Sequence, residues 1–475
     1  MKKIIISSDN LSKTNSGVFE GWGTSLCWWA HRVGFSEKLT KESARLFFSD
    51  EGLNLNIMRY NIGGGDDPTH SHIKRTDSEI PGWVRIENQK EIFDSSGDKN
   101  QLAVLSEAYK MAGEDAFVEA FSNSAPYFMT VSGCSCGGKN PLSNNLKASK
   151  IPDFAMYLAK VCDFIQKEMG IKIKSLAAMN EPYTNYWRAY SEKQEGCHIS
   201  PGKMQSSLII ETAKALKERE LNDIILTATD ETNTKRQLFA LKRLSDEAME
   251  CVGRVSTHTY EKATPGVARY SAKKGKNLWM SETDWSNISG EDSGEMGAGL
   301  WLGEKIIEDI NTLSPSGWVI WQIIASYISR VPDSKGRLDL PELPDLDKGY
   351  WGTAFADIDK EEIYLTQKYY AFGQFTRYIR PGMTIIHTGD KHTLASYDKK
   401  SKRAVIVAMN TKNEKINVTY AFENLDLKAK RLKAYRTSGS IKDGEHWKEI
   451  DEMTFEGKSF TFQLKENSIT TFVVE

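Results

Sequence analysis

The sequence predicts a (β/α)8 barrel that carries an antiparallel β-sandwich as a side domain. Between Val18 and Gln322, eight short apolar runs alternate with amphipathic stretches, as is typical of parallel strands joined by helical crossovers. After Thr384 the runs alternate between apolar and polar residues, and turns rich in Lys, Asp and Gly separate them. The 475 residues, 40% hydrophobic and 27% charged, suit a soluble globular protein with a barrel-sized core.

The barrel strands are predicted from apolar runs of strand length. In chain order the candidates are Val18–Trp29, Leu55–Ile62, Tyr127–Ser132, Ser175–Glu181, Ile224–Asp230, Val255–Tyr260, Leu278–Glu282 and Gly317–Gln322. Apolar residues at helical spacing predict helices over Pro152–Glu168, Ser206–Lys217 and Arg236–Met249. Eight strand–helix units imply closure into a barrel.

The side domain is predicted to begin after the last barrel helix, Tyr369–Ile379, which Arg380-Pro381-Gly382 ends. Six strand-like runs follow, namely His392–Tyr397, Ala404–Met409, Ile416–Tyr420, Arg431–Thr437, Ser459–Leu464 and Ile469–Val474. Lys3–Ser7 is also strand-like and precedes the barrel, so we expect it to pair with this sheet. The predicted domains are a barrel of residues 15–382 and a side domain of residues 1–14 and 383–475.

Composition limits the partners that we expect. A net charge of -2 and a pI near 6.5 give no sign of a surface for nucleic acid or an anionic membrane. No apolar run approaches the length of a membrane span. Only three apolar residues follow the basic start, so we expect a cytoplasmic protein, or a secreted one whose leader has been removed.

The six cysteines have no disulfide-framework spacing, and we expect reduced thiols. Cys134-x-Cys136 and His70-x-His72 suggest metal ligands, but neither has a partner pair at zinc-site spacing in the chain. We therefore expect neither a metal site nor a cofactor. Gly63-Gly64-Gly65 is not a phosphate loop, because no Lys-Ser/Thr follows it.

Glu181 and Glu282 are the strongest candidates for chemistry. Each follows a short apolar run and precedes polar, loop-like sequence, which places it at the carboxyl end of a predicted strand. Catalytic groups of (β/α)8 enzymes lie at this edge. Two such carboxylates are the minimum for cleaving a glycosidic bond, one as acid and the other as nucleophile or base.

Several motifs together resemble glycoside hydrolase family 30, and more narrowly its endo-β-1,6-galactanase branch, over nearly the whole chain. The matching segments are Gly21–Ala30, Asn56–Gly65, Phe121–Met129 with Gly133–Ser135, Asn180–Pro182, Phe375–Gly382 and Glu466–Phe472. One departure is Ser132–Gly138, where glucosylceramidase-like members carry a tryptophan. That departure counts against glucosylceramide as the substrate and favours a sugar of a different configuration in the pocket.

The resemblance implies a retaining glycoside hydrolase acting on β-1,6-linked galactan or its oligosaccharides. Glu181, on the fourth strand, would be the acid/base and Glu282, on the seventh, the nucleophile, with the carboxyls roughly 5–5.5 Å apart. The remaining residues that it implies bind the sugar or orient the nucleophile: Asn180 on the 2-hydroxyl, Arg59, His258 and Tyr260 around the carboxylates, and Trp321 under the sugar. Structural ion pairing for Arg59 and barrel packing for Trp321 are the alternatives.

Further contacts with the carbohydrate substrate are predicted from position in the chain. Asp66, beyond the glycines, is placed to bind outer hydroxyls or to organise its loop. Trp28, Trp29, Trp187 and Trp285 follow predicted strands, where an indole face stacks on a sugar or packs in the core. Alternative functions are an exo-acting β-glycosidase (galactobiohydrolase, xylosidase, fucosidase or glucosylceramidase) and a non-catalytic carbohydrate-binding protein.

Overall fold

Eight parallel strands close into a barrel in the computed structural model, which describes residues 2–285, 294–341, 351–427, 431–455 and 457–475. Each strand pairs with its neighbours in the chain, and the eighth pairs with the first. Numbered in chain order, barrel strands 1 to 8 are Gly21–Ser25, Ile57–Asn61, Phe117–Phe121, Ile173–Ala177, Ile225–Glu231, Arg254–His258, Asn277–Thr283 and Gly317–Gln322. The predicted fold class is confirmed.

The third barrel strand differs from the prediction. Tyr127–Ser132 is not a strand, since Tyr127–Met129 forms a short 3-10 helix, and the strand is Phe117–Phe121. This run has Glu119 at its centre, and sequence reasoning counts a central charge against a buried strand. The fold accepts the charge because Glu119 is fully buried against the guanidinium groups of Arg59 and Arg254.

The described helices that pack around the barrel and beside it are Trp29–Val33, Glu37–Phe48, Lys99–Ala112, Ile151–Met169, Lys203–Glu218, Thr234–Leu241, Asp246–Cys251, Gly266–Lys273, Met296–Leu313 and Gln367–Thr376. The sequence predicts one helix over Arg236–Met249, but the structure has two here, Thr234–Leu241 and Asp246–Cys251. The break lies at Ser245, whose hydroxyl caps the second helix by accepting the Ala248 N–H at 3.2 Å.

Two sheets form the side domain. The antiparallel six-stranded sheet runs, in spatial order, Thr384–Ile386, Thr393–Asp398, Arg403–Asn410, Ser468–Val474, Arg431–Ser438 and Glu445–Thr454. The three-stranded sheet is Lys2–Ser7, Ile416–Glu423 and Ser459–Leu464. The N-terminal strand therefore joins this domain as expected, although it pairs in parallel. Thr384–Ile386 and Glu445–Thr454 are strands that sequence reasoning did not identify.

Smaller elements lie beside the barrel. Ile324–Ile328, Ala354–Asp357 and Glu362–Leu365 form a three-stranded sheet, and Val84–Glu87 pairs with Lys90–Phe93 as a hairpin. None of the described helices is both long enough and apolar enough to cross a membrane.

The barrel and the side domain share a continuous apolar core. Phe372 and Phe375, on the last barrel helix, belong to the same buried cluster as Ile469 and Val473 of the six-stranded sheet. The Thr471 hydroxyl also donates a 2.7 Å hydrogen bond to a backbone carbonyl of that helix. The sheet thus covers an apolar face that the barrel would otherwise expose.

We expect a shortened chain of residues 15–382 to be insoluble or strongly destabilised, because truncation after Gly382 exposes this apolar face to water. Solubility after expression and thermal unfolding, compared with the full chain, measure the effect. A soluble fragment that melts cooperatively near the parent temperature and keeps full activity would contradict a structural role for the side domain.

Candidate active site

A cleft of about 640 Å³ opens where the barrel strands end. The described residues that line it are Trp28, Arg75, Asn180, Glu181, Tyr186, Trp187, Lys193, Gln194, Thr232, Tyr260, Glu282, Trp321, Gln322, Ala325, Ser326 and Trp351. Six aromatic rings form much of its wall, and polar and charged side chains lie between them. Such a lining suits a ligand with apolar faces and directional hydroxyls.

Two glutamates face each other in this cleft. Glu181 follows barrel strand 4 and Glu282 lies near the end of barrel strand 7, and a carboxylate oxygen of one lies within 4.8 Å of a carboxylate oxygen of the other. Glu181 has a φ of 45°, and its N–H donates a 2.8 Å hydrogen bond to the Asp230 carbonyl. A residue with a side chain adopts this left-handed conformation where its surroundings enforce it. The fold thereby fixes the position of the Glu181 carboxylate.

His258, at the end of barrel strand 6, connects the two carboxylates. Its Nδ1 lies 3.1 Å from Glu181 Oε1 and 3.3 Å from Glu282 Oε1, and its Nε2 lies 3.2 Å from Asp230 Oδ1. Burial lowers the pKa of His258, but Glu282 and Asp230 raise it, and the net result is a pKa of about 10. The imidazole is therefore a cation at neutral pH, and its Nδ1–H donates a hydrogen bond to Glu181.

Arg59 is a second buried cation at this site. Its guanidinium lies 2.9 Å from Glu282 Oε2, 2.6 Å from Asp230 Oδ2 and 3.1 Å from Glu119 Oε1. Burial lowers the pKa of Arg59, whereas these three carboxylates raise it above its ordinary value. Arg59 thus compensates buried negative charge and holds one oxygen of Glu282 in place.

Tyr260 holds the other oxygen of Glu282, to which its hydroxyl donates a 2.9 Å hydrogen bond. Burial raises the pKa of Glu282, His258 and Arg59 lower it, and Glu181 raises it again, which leaves it at about 7. The Glu282 carboxyl group therefore loses its proton near neutral pH.

Two aromatic residues on the segment after barrel strand 4 contact Glu181. The Tyr186 hydroxyl donates to Glu181 Oε2, and the Trp187 indole N–H donates a 2.9 Å hydrogen bond to the Glu181 carbonyl. Burial raises the pKa of Tyr186, and Glu181 raises it further, so the phenol stays a hydrogen-bond donor. Both residues orient Glu181 toward the cleft.

Trp28, Trp321 and Asn180, for which the sequence predicts contacts with the sugar, line the cleft. The rings of Trp28 and Trp321 meet edge to face with centroids 5.0 Å apart. The Asn180 side-chain oxygen is buried and accepts no hydrogen bond within the described part of the chain. A buried acceptor without a partner is costly, and a ligand hydroxyl in the cleft would satisfy it.

The prediction that Trp29 contacts the sugar is wrong. Trp29 is fully buried, packs against Phe47 with ring centroids 5.8 Å apart, and donates its indole N–H to the Ser25 carbonyl at 2.8 Å. The helix Trp29–Val33 begins at this residue and turns the ring into the core. Trp28 alone of this pair reaches the cleft.

Asp66 and Trp285 are not among the described residues that line the cleft. Trp285 is exposed at the end of barrel strand 7. The Asp66 carboxylate contacts His70 and His72, and it accepts the Ser135 N–H at 2.9 Å. These contacts favour the alternative in which Asp66 organises its loop.

Sequence reasoning missed Asp230, Tyr186 and Arg75. Asp230 ends a predicted strand next to Glu231, and two adjacent acidic residues at a strand end are a signal that could have identified it. The Arg75 guanidinium lies over the Trp28 ring at 4.6 Å from its centroid, and no local pattern marks this contact. Tyr186 follows Glu181 by five residues on a loop, where spacing carries no structural information.

We expect Arg59→Met to destabilise the fold by about 3–5 kcal/mol, because it leaves Glu119, Asp230 and Glu282 buried without their shared cation. Urea unfolding of the variant and the parent measures the difference. Arg85→Met is the control, because its ion pairs are half exposed and worth about 1 kcal/mol or less. Equal stability of Arg59→Met and the parent would show that the network does not hold the site.

The chain matches a protein family and is similar to curated proteins. Residues 2–240 match the family described as O-Glycosyl hydrolase family 30. An endo-beta-1,6-galactanase of Hypocrea rufa is 28% identical over 426 residues, which are 84% of this chain and 79% of that protein. An exo-beta-1,6-galactobiohydrolase of Bifidobacterium longum subsp. longum is 26% identical over 438 residues. That alignment covers 72% of this chain and 28% of the longer relative.

Solved structures share the fold at low sequence identity. A conserved exported protein from Bacteroides fragilis superposes with a TM-score of 0.76 at 19% identity, over the full length of both chains. The catalytic domain of GH30 xylanase C from Talaromyces cellulolyticus gives 0.73 at 17% identity, also over both full lengths. At these identities the likeness establishes the fold alone.

Proposed function

The chain belongs to O-glycosyl hydrolase family 30 and is a glycoside hydrolase, and on that premise we propose that it cleaves β-1,6-linked galactan or its oligosaccharides with retention of configuration. One observation carries the mechanism. One carboxylate oxygen of Glu181 lies within 4.8 Å of one carboxylate oxygen of Glu282 in a cleft at the strand ends. This spacing favours the retaining geometry of roughly 5–5.5 Å between carboxyls over the wider inverting one.

In the proposed mechanism, Glu181 protonates the glycosidic oxygen while Glu282 attacks the anomeric carbon. The bond to the leaving sugar breaks, and a glycosyl ester forms on Glu282. Glu181, now anionic, removes a proton from water, which attacks the anomeric carbon and releases the sugar. The ester also removes the negative charge of Glu282, so Glu181 no longer needs a proton to relieve repulsion.

The surrounding groups support these roles. Arg59 and Tyr260 each hold one oxygen of Glu282, which favours its ionised form and fixes its orientation. His258 lies within hydrogen-bond reach of both carboxylates and stabilises the anion that the pair carries at each step. Asn180 presents a free side-chain oxygen to the cleft, suited to a sugar hydroxyl that binds more strongly in the transition state.

The substrate is proposed from the two relatives, both of which are named for β-1,6-linked galactose polymers or oligomers. Trp28 and Trp321 supply apolar surface for the C–H face of a pyranose. An exo-acting galactobiohydrolase is the second candidate, because one relative carries that name.

Product analysis tests the substrate and the mode of attack. We expect β-1,6-galactan to give a ladder of oligosaccharides at early times if attack is internal, and galactobiose alone if it is from a chain end. Nitrophenyl glucoside, xyloside and fucoside are the comparison substrates. Turnover of one of these with none on the galactan would refute the galactan proposal, and binding without any product would favour a carbohydrate-binding protein.

We expect kcat/KM to rise as the pH rises through about 7, because Glu282 must be ionised to act as the nucleophile. The sign follows from the raised pKa of Glu282, since a carboxyl group with a raised pKa keeps its proton, and cannot attack, up to that pH and loses the proton above it. The measurement is the pH dependence of kcat/KM on a β-1,6-galacto-oligosaccharide.

Glu181→Gln is the matched variant for this profile. With a dinitrophenyl galactobioside, which needs no acid, the rise should occur at a lower pH than in the parent, because the neighbouring charge that raises the pKa of Glu282 is gone. A rise that stays at the same pH in this variant would assign it to a group other than Glu282.

A further inference from the structure

Four side chains of metal-binding type converge outside the catalytic cleft. Asp66, His70 and His72 lie after barrel strand 2, Cys134 lies after barrel strand 3, and one potential ligand atom from each lies within 4.8 Å of all the others. Asp66 Oδ2 is 3.1 Å from His70 Nδ1, 2.8 Å from His72 Nε2 and 4.0 Å from Cys134 Sγ. Sequence spacing predicts no metal here because the ligands come from two segments that only the fold brings together.

Outer contacts orient two of these groups toward a common point. His72 Nδ1 lies 2.8 Å from the Ser191 carbonyl, which leaves Nε2 to face the cluster. The other oxygen of Asp66 accepts the Ser135 N–H, so Oδ2 is the one that faces inward. Metal-binding histidines and carboxylates in proteins are held by such second contacts.

The contacts of the Cys134 sulfur also suit a metal ligand. Its sulfur, with the side chain fully buried, lies 3.5 Å from His72 Nε2 and accepts backbone N–H groups from Tyr190 at 3.3 Å and Cys136 at 3.5 Å. Hydrogen bonds to sulfur stabilise the thiolate, which is the form that binds metals.

We propose that Asp66, His70, His72 and Cys134 bind a zinc ion. Zinc bonds of roughly 2.0–2.3 Å in a tetrahedron place neighbouring ligand atoms about 3.3–3.7 Å apart. The separations given above, 2.8 to 4.0 Å, lie on both sides of that range, so small side-chain shifts would bring the four atoms to zinc-bonding geometry. The thiolate and imidazoles favour zinc over calcium or magnesium, which prefer oxygen. One carboxylate and one thiolate also balance the two positive charges, so the partly buried site would be neutral.

The ion would have a structural role, since four protein ligands leave no open position for a substrate. It would join the segments after barrel strands 2 and 3. The rings of His70 and His72 also pack edge-on against Tyr190, with centroids 5.1 Å and 5.5 Å away. Tyr190 lies on the same segment as Tyr186, which contacts Glu181. Zinc would therefore stabilise the cleft wall that positions the acid/base.

Metal analysis of the full-length protein tests the proposal. After purification with equimolar zinc and gel filtration in a weakly chelating buffer, we expect one zinc per chain by mass spectrometry of the metal. Cobalt added to the metal-free protein should give the visible bands of a tetrahedral site and a thiolate-to-cobalt charge-transfer band. The zinc-loaded protein should melt at a higher temperature than the metal-free protein.

Single substitutions distinguish ligands from neighbours. Cys134→Ser and His72→Gln should lose the zinc and the cobalt spectrum. Cys136→Ser should keep one zinc per chain, because Cys136 contacts the cluster without being a ligand in this assignment. Cys251→Ser, which changes a cysteine remote in the fold, is the matched control.

Several results would overturn the assignment. These are the absence of zinc and of a cobalt charge-transfer band in the parent, full zinc binding by Cys134→Ser, or a Cys134–Cys136 disulfide in protein kept under reducing conditions. If Cys134→Ser does not fold, the cobalt spectrum of the parent decides alone. These outcomes are independent of the glycosidase proposal, which rests on the separate pair Glu181 and Glu282.

Discussion

Glu282→Gln is expected to lose nearly all turnover, by roughly 10⁵–10⁶-fold, as when the nucleophile of a covalent mechanism is removed. The amide has the same shape as the carboxylate but cannot form the glycosyl ester. The amide oxygen can still accept from Arg59, and the Tyr260 hydroxyl can rotate to accept from the amide N–H, so the cleft should keep its shape. Turnover of a galacto-oligosaccharide and its binding by calorimetry are the two measurements, and binding should remain close to that of the parent.

Asp284→Asn is a matched control for Glu282→Gln. Asp284 is also a buried carboxylate at the end of barrel strand 7, but it pairs with Lys368 and does not line the cleft among the described residues. We expect this change to reduce stability more than catalysis. If Glu282→Gln kept a tenth or more of the parent activity, Glu282 would not be the nucleophile.

Glu181→Ala is expected to slow substrates with poor leaving groups by roughly 10²–10⁴-fold, the usual contribution of a general acid. The first step with a dinitrophenyl glycoside should slow far less, because its leaving group departs without a proton. The glycosyl ester should then accumulate, since no base activates water. Stopped-flow release of dinitrophenol should show a burst followed by a slow steady rate.

Azide distinguishes the two carboxylates. In Glu181→Ala a small anion occupies the space of the lost carboxylate and attacks the ester, so we expect faster turnover and a β-glycosyl azide. An α-glycosyl azide from Glu181→Ala, together with a β-glycosyl azide from Glu282→Ala, would show that the two roles are reversed.

The catalytic pair could be predicted from sequence because its signal is local. Glu181 and Glu282 each end an apolar run, and a strand end fixes which edge of the barrel a residue reaches. The position of Trp28 beside Trp29 could not be predicted in the same way. Barrel strand 1 ends at Ser25, so the alternation of faces along a strand does not predict which of the two tryptophans faces the cleft. In the structure Trp28 lines the cleft and Trp29 lies in the core.

The charges that compensate each other across the barrel also could not be predicted from the sequence. Glu119 lies inside barrel strand 3, and its charge is explained only by Arg59 and Arg254 on strands 2 and 6. The Asp66 cluster is similar, because its members lie on two segments separated by more than fifty residues. Both arrangements depend on tertiary proximity, for which a single sequence gives no pattern.

The anomeric configuration of the first product tests the central claim most directly. A double displacement at the carboxylate pair inverts the anomeric carbon twice, once when Glu282 attacks and once when water does. Proton NMR of a β-1,6-galacto-oligosaccharide hydrolysed by the parent protein should show the β-anomer first, with the α-anomer appearing later through mutarotation. An α-anomer as the first product would contradict the retaining mechanism and the assignment of Glu282 as nucleophile.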